Sequence, residues 1–205
     1  MNIGILNYEA GNIYSVHNSI FNLGYNPKII NKNSDFKNID KLIVPGVGSA
    51  YKCIDNLKKK KLFDLLKDNL DSELPILGIC LGLQIFCEKL YENGESIGLG
   101  HIKADVDKID INNKFNIGWS KVDFINDELS LIFYSNKDFY FCHSYCLQNF
   151  NNSEEKYIKG FIKFEKLKVP CMVKKNNFLG VQFHPEKSQS NGIKFLDYFL
   201  QSKIK

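Results

Sequence analysis

Short apolar runs alternate with amphipathic stretches through the first half of the 205-residue chain. Residues 2–7 (NIGILN) form an apolar run that predicts a buried strand. From 12 to 24, Ile13, Val16, Ile20 and Leu23 recur at helical spacing and make one apolar face. Asn12 is placed to cap this helix and Gly24 to end it. Short strands are expected at 28–30 and 41–44. PGVGS at 45–49 then turns the chain into a helical stretch reaching about residue 70. Residues 75–79 (PILGI) predict another strand, and 81–91 another helix. Strands and helices in this rhythm imply a parallel sheet with helices on both faces.

The second half changes period. Residues 102–125, 138–147, 157–164, 170–175 and 178–183 read as strands, with Asn-Asn turn signals at 112–113 and 176–177. Antiparallel hairpins extending the sheet are therefore expected. Ile193, Leu196, Phe199 and Leu200 restore helical spacing over 191–203. With no linker, repeat or low-complexity segment, residues 1–205 read as one α/β domain.

Composition narrows the classes. Hydrophobic residues make up 44% of the chain, enough for a sizeable core. No apolar run reaches membrane-spanning length, and MNIGILNYEAGN lacks the parts of a signal peptide, so a cytoplasmic protein is expected. All 27 basic residues are lysine, so an anion site would use lysine, backbone amides or helix N-termini instead of a guanidinium fork. The KKKK run at 58–61 fits a solvated helix face, and no aromatic-rich basic stripe points to nucleic acid. The six cysteines are irregularly spaced and read as free thiols. Cys142, His143 and Cys146 lack a second ligand pair at zinc-finger spacing, so no metal is expected.

Two strand ends carry the candidate chemistry. PILGICLGLQ at 75–84 sets Cys80 where a strand turns into a helix, flanked by Gly78 and Gly82. A helix N-terminus favours thiolate, and the glycines permit a tight, strained turn. The Leu81 amide would then face an oxyanion. About 100 residues later, FHPEKS at 183–188 places His184 and Glu186 after another apolar run. A carboxylate two residues on can orient the imidazole, leaving the second ring nitrogen for a thiol. Seen alone, the cysteine also fits an inert buried thiol, and His-Pro-Glu an ordinary surface turn. PGVGS lacks a Gly-Lys-Ser/Thr ending, so it reads as a source of backbone amides and not as a phosphate loop.

These motifs, with HSY at 143–145, stand in the order seen in class I, triad-type glutamine amidotransferases, and the chain resembles that family from residue 2 onward. NYEAGN at 7–12 and IGWS at 117–120 make it similar to the glutaminase-subunit family of imidazole glycerol phosphate synthase. The resemblance implies a flavodoxin-like, doubly wound, mostly parallel sheet. It implies hydrolysis of glutamine to glutamate and ammonia, without cofactor or metal, through a glutamyl thioester on Cys80. His184 would move the protons and Glu186 would orient it. Leu81 with Val47 or Gly48 would hold the oxyanion. Gln84 and Glu92, on the helix after the nucleophile, and the backbone of Ser144 and Tyr145 would hold the substrate.

The resemblance further implies a heterodimer with a (β/α)₈-barrel cyclase that receives the ammonia, with Asn12, Trp119, Tyr140 and Lys187 at the interface. Trp119, the only tryptophan, reads either as an interface anchor or as a core residue. The chain departs from typical members on this side. Glu9 replaces a glycine, the stretch Phe115-Asn116-Ile117-Gly118-Trp119-Ser120 lacks the Pro-His pair before Gly-Trp and the asparagine after it, and 102–105 lacks a Pro-Gly. A second reading therefore keeps the chemistry and changes the acceptor to an amidino-sugar synthetase of surface polysaccharide synthesis.

Overall fold

The structure, a computed structural model, describes residues 1–9, 12–109, 115–125, 128–164 and 167–202. Strand β1 (Ile3–Leu6) leads to α1 (Ile13–Asn22), β2 (Lys28–Ile30), β3 (Lys41–Val44), α2 (Ala50–Lys59), α3 (Phe63–Asp68), β4 (Ile76–Ile79) and a single turn, α4 (Leu81–Gln84). There follow β5 (Cys87–Leu90), β6 (Ser96–Ile97), β7 (Ile102–Lys108), β8 (Asn116–Phe124), α5 (Glu128–Ile132), β9 (Asp138–His143) and β10 (Tyr145–Gln148). The chain continues through β11 (Ile158–Phe164), β12 (Leu167–Lys175), β13 (Phe178–Val181) and α6 (Gln189–Gln201).

The main sheet runs β2-β1-β3-β4-β13-β12-β11-β8-β9. The strands from β2 to β13 are parallel, and those beyond are added antiparallel. This is the doubly wound α/β sheet with the antiparallel extension read from the sequence. Both faces are covered, and the central strands β1, β4 and β13 are accordingly apolar and buried along their whole length. Along β3, Ile43 packs in the layer holding Val16, Ile20, Phe195 and Phe199 of α1 and α6. Leu42 and Val44 pack in the other layer, with Ile54, Leu57 and Leu66 of α2 and α3.

One topological step positions the chemistry. The chain leaves for the antiparallel half after β4 and returns through β13, which pairs with β4 in parallel, Val181 opposite Ile79. The Cys80 N–H donates to the Val181 carbonyl at 2.7 Å. Residues following β4 and β13 thus emerge side by side at the C-terminal edge of the sheet, where open α/β sheets place their sites.

Several expected elements differ. The helix expected over 81–91 stops after one turn, and Cys87–Leu90 instead joins a second, four-stranded sheet, β10-β7-β5-β6. Ile85, Phe86, Cys87 and Leu90 are fully buried there, and Phe86 stacks on Phe178 at 4.1 Å. Their spacing suits a helix as well as a strand, and the free edge of β7 decided between them. The helical stretch after 49 breaks at Lys61, which has φ +56°. The expected strand 102–125 is two strands in different sheets, and 138–147 breaks at Ser144. The turn signal at 112–113 and residue 203 of the last helix lie outside the described residues. No helix of the described residues is long and apolar enough to cross a membrane.

Candidate active site

Cys80 occupies a strained turn, with φ 52° and ψ −108°. L-residues avoid this region, and its cost is sustained only where the surroundings enforce it. Here they do. A Cβ on Gly82 would lie 1.8 Å from the Val44 carbonyl oxygen, and one on Gly78 would lie 2.6 Å from that of Gly82. Only glycine lets these backbones approach so closely. The turn aims the thiol away from the strand into a cleft of about 270 Å³. Because α4 has four residues, its dipole favours thiolate less than the expected long helix would.

His184 and Glu186 come from the loop after β13. The His184 side chain is fully buried, and its Nδ1 lies 2.7 Å from Glu186 Oε1. The carboxylate makes Nδ1 the protonated nitrogen and leaves Nε2 free. Nε2 is buried without a hydrogen bond of ordinary geometry, yet Cys80 is near enough to act on the ring. Burial pulls the imidazole pKa down. The charge and hydrogen bonding of Cys80, then Glu186, outweigh it and raise the pKa to about 10. The arrangement suits transfer of the thiol proton to the ring.

The cleft is lined by Val47, Gly48, Cys80, Leu81, Gln84 and Glu92 on one side and by Ile117, Cys142, His143, Ser144 and Tyr145 on the other. Glu92 follows β5 and does not lie on the helix after Cys80, as the sequence suggested. Its Oε2 accepts the Ala50 N–H at 2.5 Å, which ties it to the start of α2. Gln84 donates from Nε2 to the Tyr145 carbonyl at 3.0 Å. The Leu81 N–H is directed at the Gly46 carbonyl, 3.4 Å away. An oxyanion must displace that carbonyl to use this donor. Tyr8, fully buried, donates its hydroxyl to the Pro45 carbonyl and anchors the same turn.

Three of the four residues expected at a partner surface lie next to one another, on β8, on β9 and after β13. Trp119 is 49% exposed, which excludes the core reading. It pairs across β8 and β9 with Tyr140, ring edge to face at 6.1 Å, and Lys187 Nζ lies 5.9 Å from the Tyr140 ring. Asn12 differs, being 5% exposed. It occupies the N-cap of α1, but its side chain makes no capping bond and donates instead to Glu186 Oε1 at 2.8 Å. A buried carboxylate needs hydrogen-bond donors.

Sequence reasoning left several site residues unassigned. His143 Nδ1 lies 2.9 Å from the Tyr145 carbonyl and Nε2 3.3 Å from Asn116 Nδ2. A carbonyl only accepts, so Nδ1 carries the proton and Asn116 donates to Nε2. Burial lowers the His143 pKa to about 4, and the ring is neutral. Cys142 and Ile117 line the cleft from an edge hairpin whose pairing no local pattern announces.

A parallel sheet with a strained cysteine beside a buried His–Glu pair defines a class, the enzymes able to attack a carbonyl with a thiol. The family model described as "Glutamine amidotransferase class-I" matches residues 5–201. The chain belongs to that family. It is 36% identical over 201 residues to imidazole glycerol phosphate synthase subunit HisH of Lactococcus lactis, covering 97% of this chain and 98% of that one. It is 38% identical over 204 residues to subunit HisH 2 of Methanococcus maripaludis, covering 97% and 98%. The solved structure of PurLQS from Thermotoga maritima shares the fold, with a TM-score of 0.75 at 15% identity over 97% of each chain.

Proposed function

We propose that this glutamine amidotransferase is the glutaminase subunit of imidazole glycerol phosphate synthase, supplying ammonia for histidine biosynthesis. The carrying observation is the placement of Cys80, which lines the cleft, beside the buried His184–Glu186 pair. Identity to HisH subunits over nearly the full length of both chains supports the acceptor, and favours it over an amidino-sugar synthetase.

In this reading the thiol proton passes to His184 Nε2 and the sulfur attacks the side-chain amide carbon of glutamine. The oxyanion takes the Leu81 N–H and an N–H of the Val47 and Gly48 turn, once the Gly46 carbonyl has moved aside. His184 returns its proton to the leaving nitrogen, ammonia departs, and a glutamyl thioester remains. Water, deprotonated by His184, then releases glutamate. Glu92, with Gln84 and the Ser144 and Tyr145 backbone, holds the amino-acid end. A carboxylate suits the α-ammonium group.

The partner is a (β/α)₈-barrel cyclase docked over Trp119, Tyr140 and Lys187 at the mouth of the cleft. The test measures glutamine hydrolysis by the chain alone, with the cyclase subunit, and with a sugar-amidating synthetase from the same source. Strong stimulation by the cyclase is expected. Stimulation by the sugar enzyme alone would overturn the acceptor, and full activity without either would overturn the coupling.

A further inference from the structure

Gln182 stands two residues before His184 and has no part in the mechanism above. It is fully buried. Gln182 and His184 both belong to the segment that follows β13, so they approach Cys80 from the same strand end. The Gln182 Nε2 lies 3.4 Å from Cys80 Sγ, and its Oε1 lies 3.1 Å from Gln84 Nε2.

The amide orientation is determined by a chain of obligate partners. The Tyr145 carbonyl only accepts, and Gln84 meets it with Nε2 at 3.0 Å. The same Gln84 nitrogen also meets Gln182, which must therefore answer with its oxygen. That leaves the Gln182 NH₂ group facing the sulfur. The opposite flip would set two donors against each other and the amide oxygen against the thiol sulfur.

We infer that Gln182 is a further catalytic residue, whose side-chain N–H donates to the Cys80 sulfur and holds it as thiolate. The inference rests on Cys80 being the nucleophile. The thiol proton goes to His184, and the amide gives up none. When the thioester is hydrolysed, the C–S bond breaks with its electron pair on sulfur, and the same N–H stabilises that leaving thiolate. Titratable groups that interact with this sulfur include His184 from the loop after β13 and Tyr8 from the turn after β1. Gln182 adds a donor that neither gains nor loses charge with pH.

The experiment alkylates the full chain with iodoacetamide across a pH series and follows each cysteine by peptide mapping. Exposed Cys142 serves as the internal reference. Gln182→Met keeps the length and removes the donor. Gln182→Glu keeps the shape and the bond from Gln84 but turns an oxygen to the sulfur. Alkylation of Cys80 near neutral pH should slow about tenfold in the Met variant and further in the Glu variant, with rates recovering at higher pH and Cys142 unchanged. A purely structural role would leave the Glu variant nearest the parent. That order, or an unshifted pH profile in the Met variant, would overturn the inference. If the Met variant does not fold by circular dichroism, the Glu variant against the parent decides it. Parent Cys80 reacting no faster than Cys142 would instead remove the nucleophile reading beneath it.

Discussion

Asn12 and Glu186, 174 positions apart, meet through a 2.8 Å hydrogen bond from Asn12 Nδ2 to Glu186 Oε1. The same oxygen accepts from His184 Nδ1 at 2.7 Å, while Glu186 Oε2 is buried without a partner. The start of α1 thus fixes the carboxylate that fixes the imidazole.

This layering sets an order of effects. His184→Asn should lower kcat by about 10²–10⁴, because both half-reactions lose their proton carrier. Glu186→Gln should cost less, since a neutral amide still contacts the ring. Asn12→Ala should cost least, about tenfold, the lower end of the worth of one hydrogen bond to a charged group. Steady-state kinetics on the three variants checks the ranking. A larger loss for Glu186→Gln than for His184→Asn would give the carboxylate a more direct role.

Cysteine selectivity is a second test. A glutamine-like chloroketone should label Cys80 first, with exposed Cys142 the competitor by access. Burial raises the Cys53, Cys87, Cys146 and Cys171 thiols, Cys146 to about 11, and keeps them unreactive. Peptide mapping that found any of these four modified before Cys80 would contradict the assignment.

Exposed Trp119 and half-buried Tyr140 bear on coupling to a partner. Tyr140 packs on Trp119 and accepts the His184 N–H on its carbonyl at 2.8 Å, so the surface hairpin is bonded to the imidazole loop. Trp119→Ala should weaken cyclase binding by about 2 kcal/mol, with little change in folding stability. Titration calorimetry and thermal melts separate the two. A melting temperature that falls while the affinity holds would make Trp119 a stability residue.

Acid should find His143. Its folded pKa of about 4 lies below the ordinary value of 6.5, so the unfolded chain binds the extra proton between these limits. Stability from this group is complete above about pH 6.5 and declines by up to about 3 kcal/mol as pH falls toward 4. His143→Gln should flatten that part of the unfolding curve. Denaturant melts across this range with equal slopes for parent and variant would refute it.

Glu9 offers a test of local strain. The resemblance drawn from the sequence expects glycine here, and the backbone has a left-handed φ of +66°. Its carboxylate pairs with Lys60 at 3.1 Å but is largely exposed, so that pair returns little. Glu9→Gly should therefore stabilise the fold by about 1 kcal/mol. A destabilised variant in chemical denaturation would show that the ion pair outweighs the strain.

The sequence by itself determined the elements whose signals are local. Apolar runs ending in Gly-Ile-Cys-Leu-Gly and Phe-His-Pro-Glu marked two strand ends, because close backbone packing requires glycine and a proline stops a strand. The parallel first half and antiparallel second half followed from a change in hydrophobic period. Tertiary structure alone decided the rest. β5 had a spacing equally suited to a helix, and the free edge of β7 resolved it. Asn12 looked like a helix cap, and a buried carboxylate 174 positions away claimed its amide. Gln182 carried no signal beyond standing two residues before His184. Its orientation comes from Gln84 and the Tyr145 carbonyl, partners that meet only because β13 returns to the middle of the sheet. Hydrogen bonds between distant segments leave no periodicity in the chain, so their partners become readable only once the strands are in order.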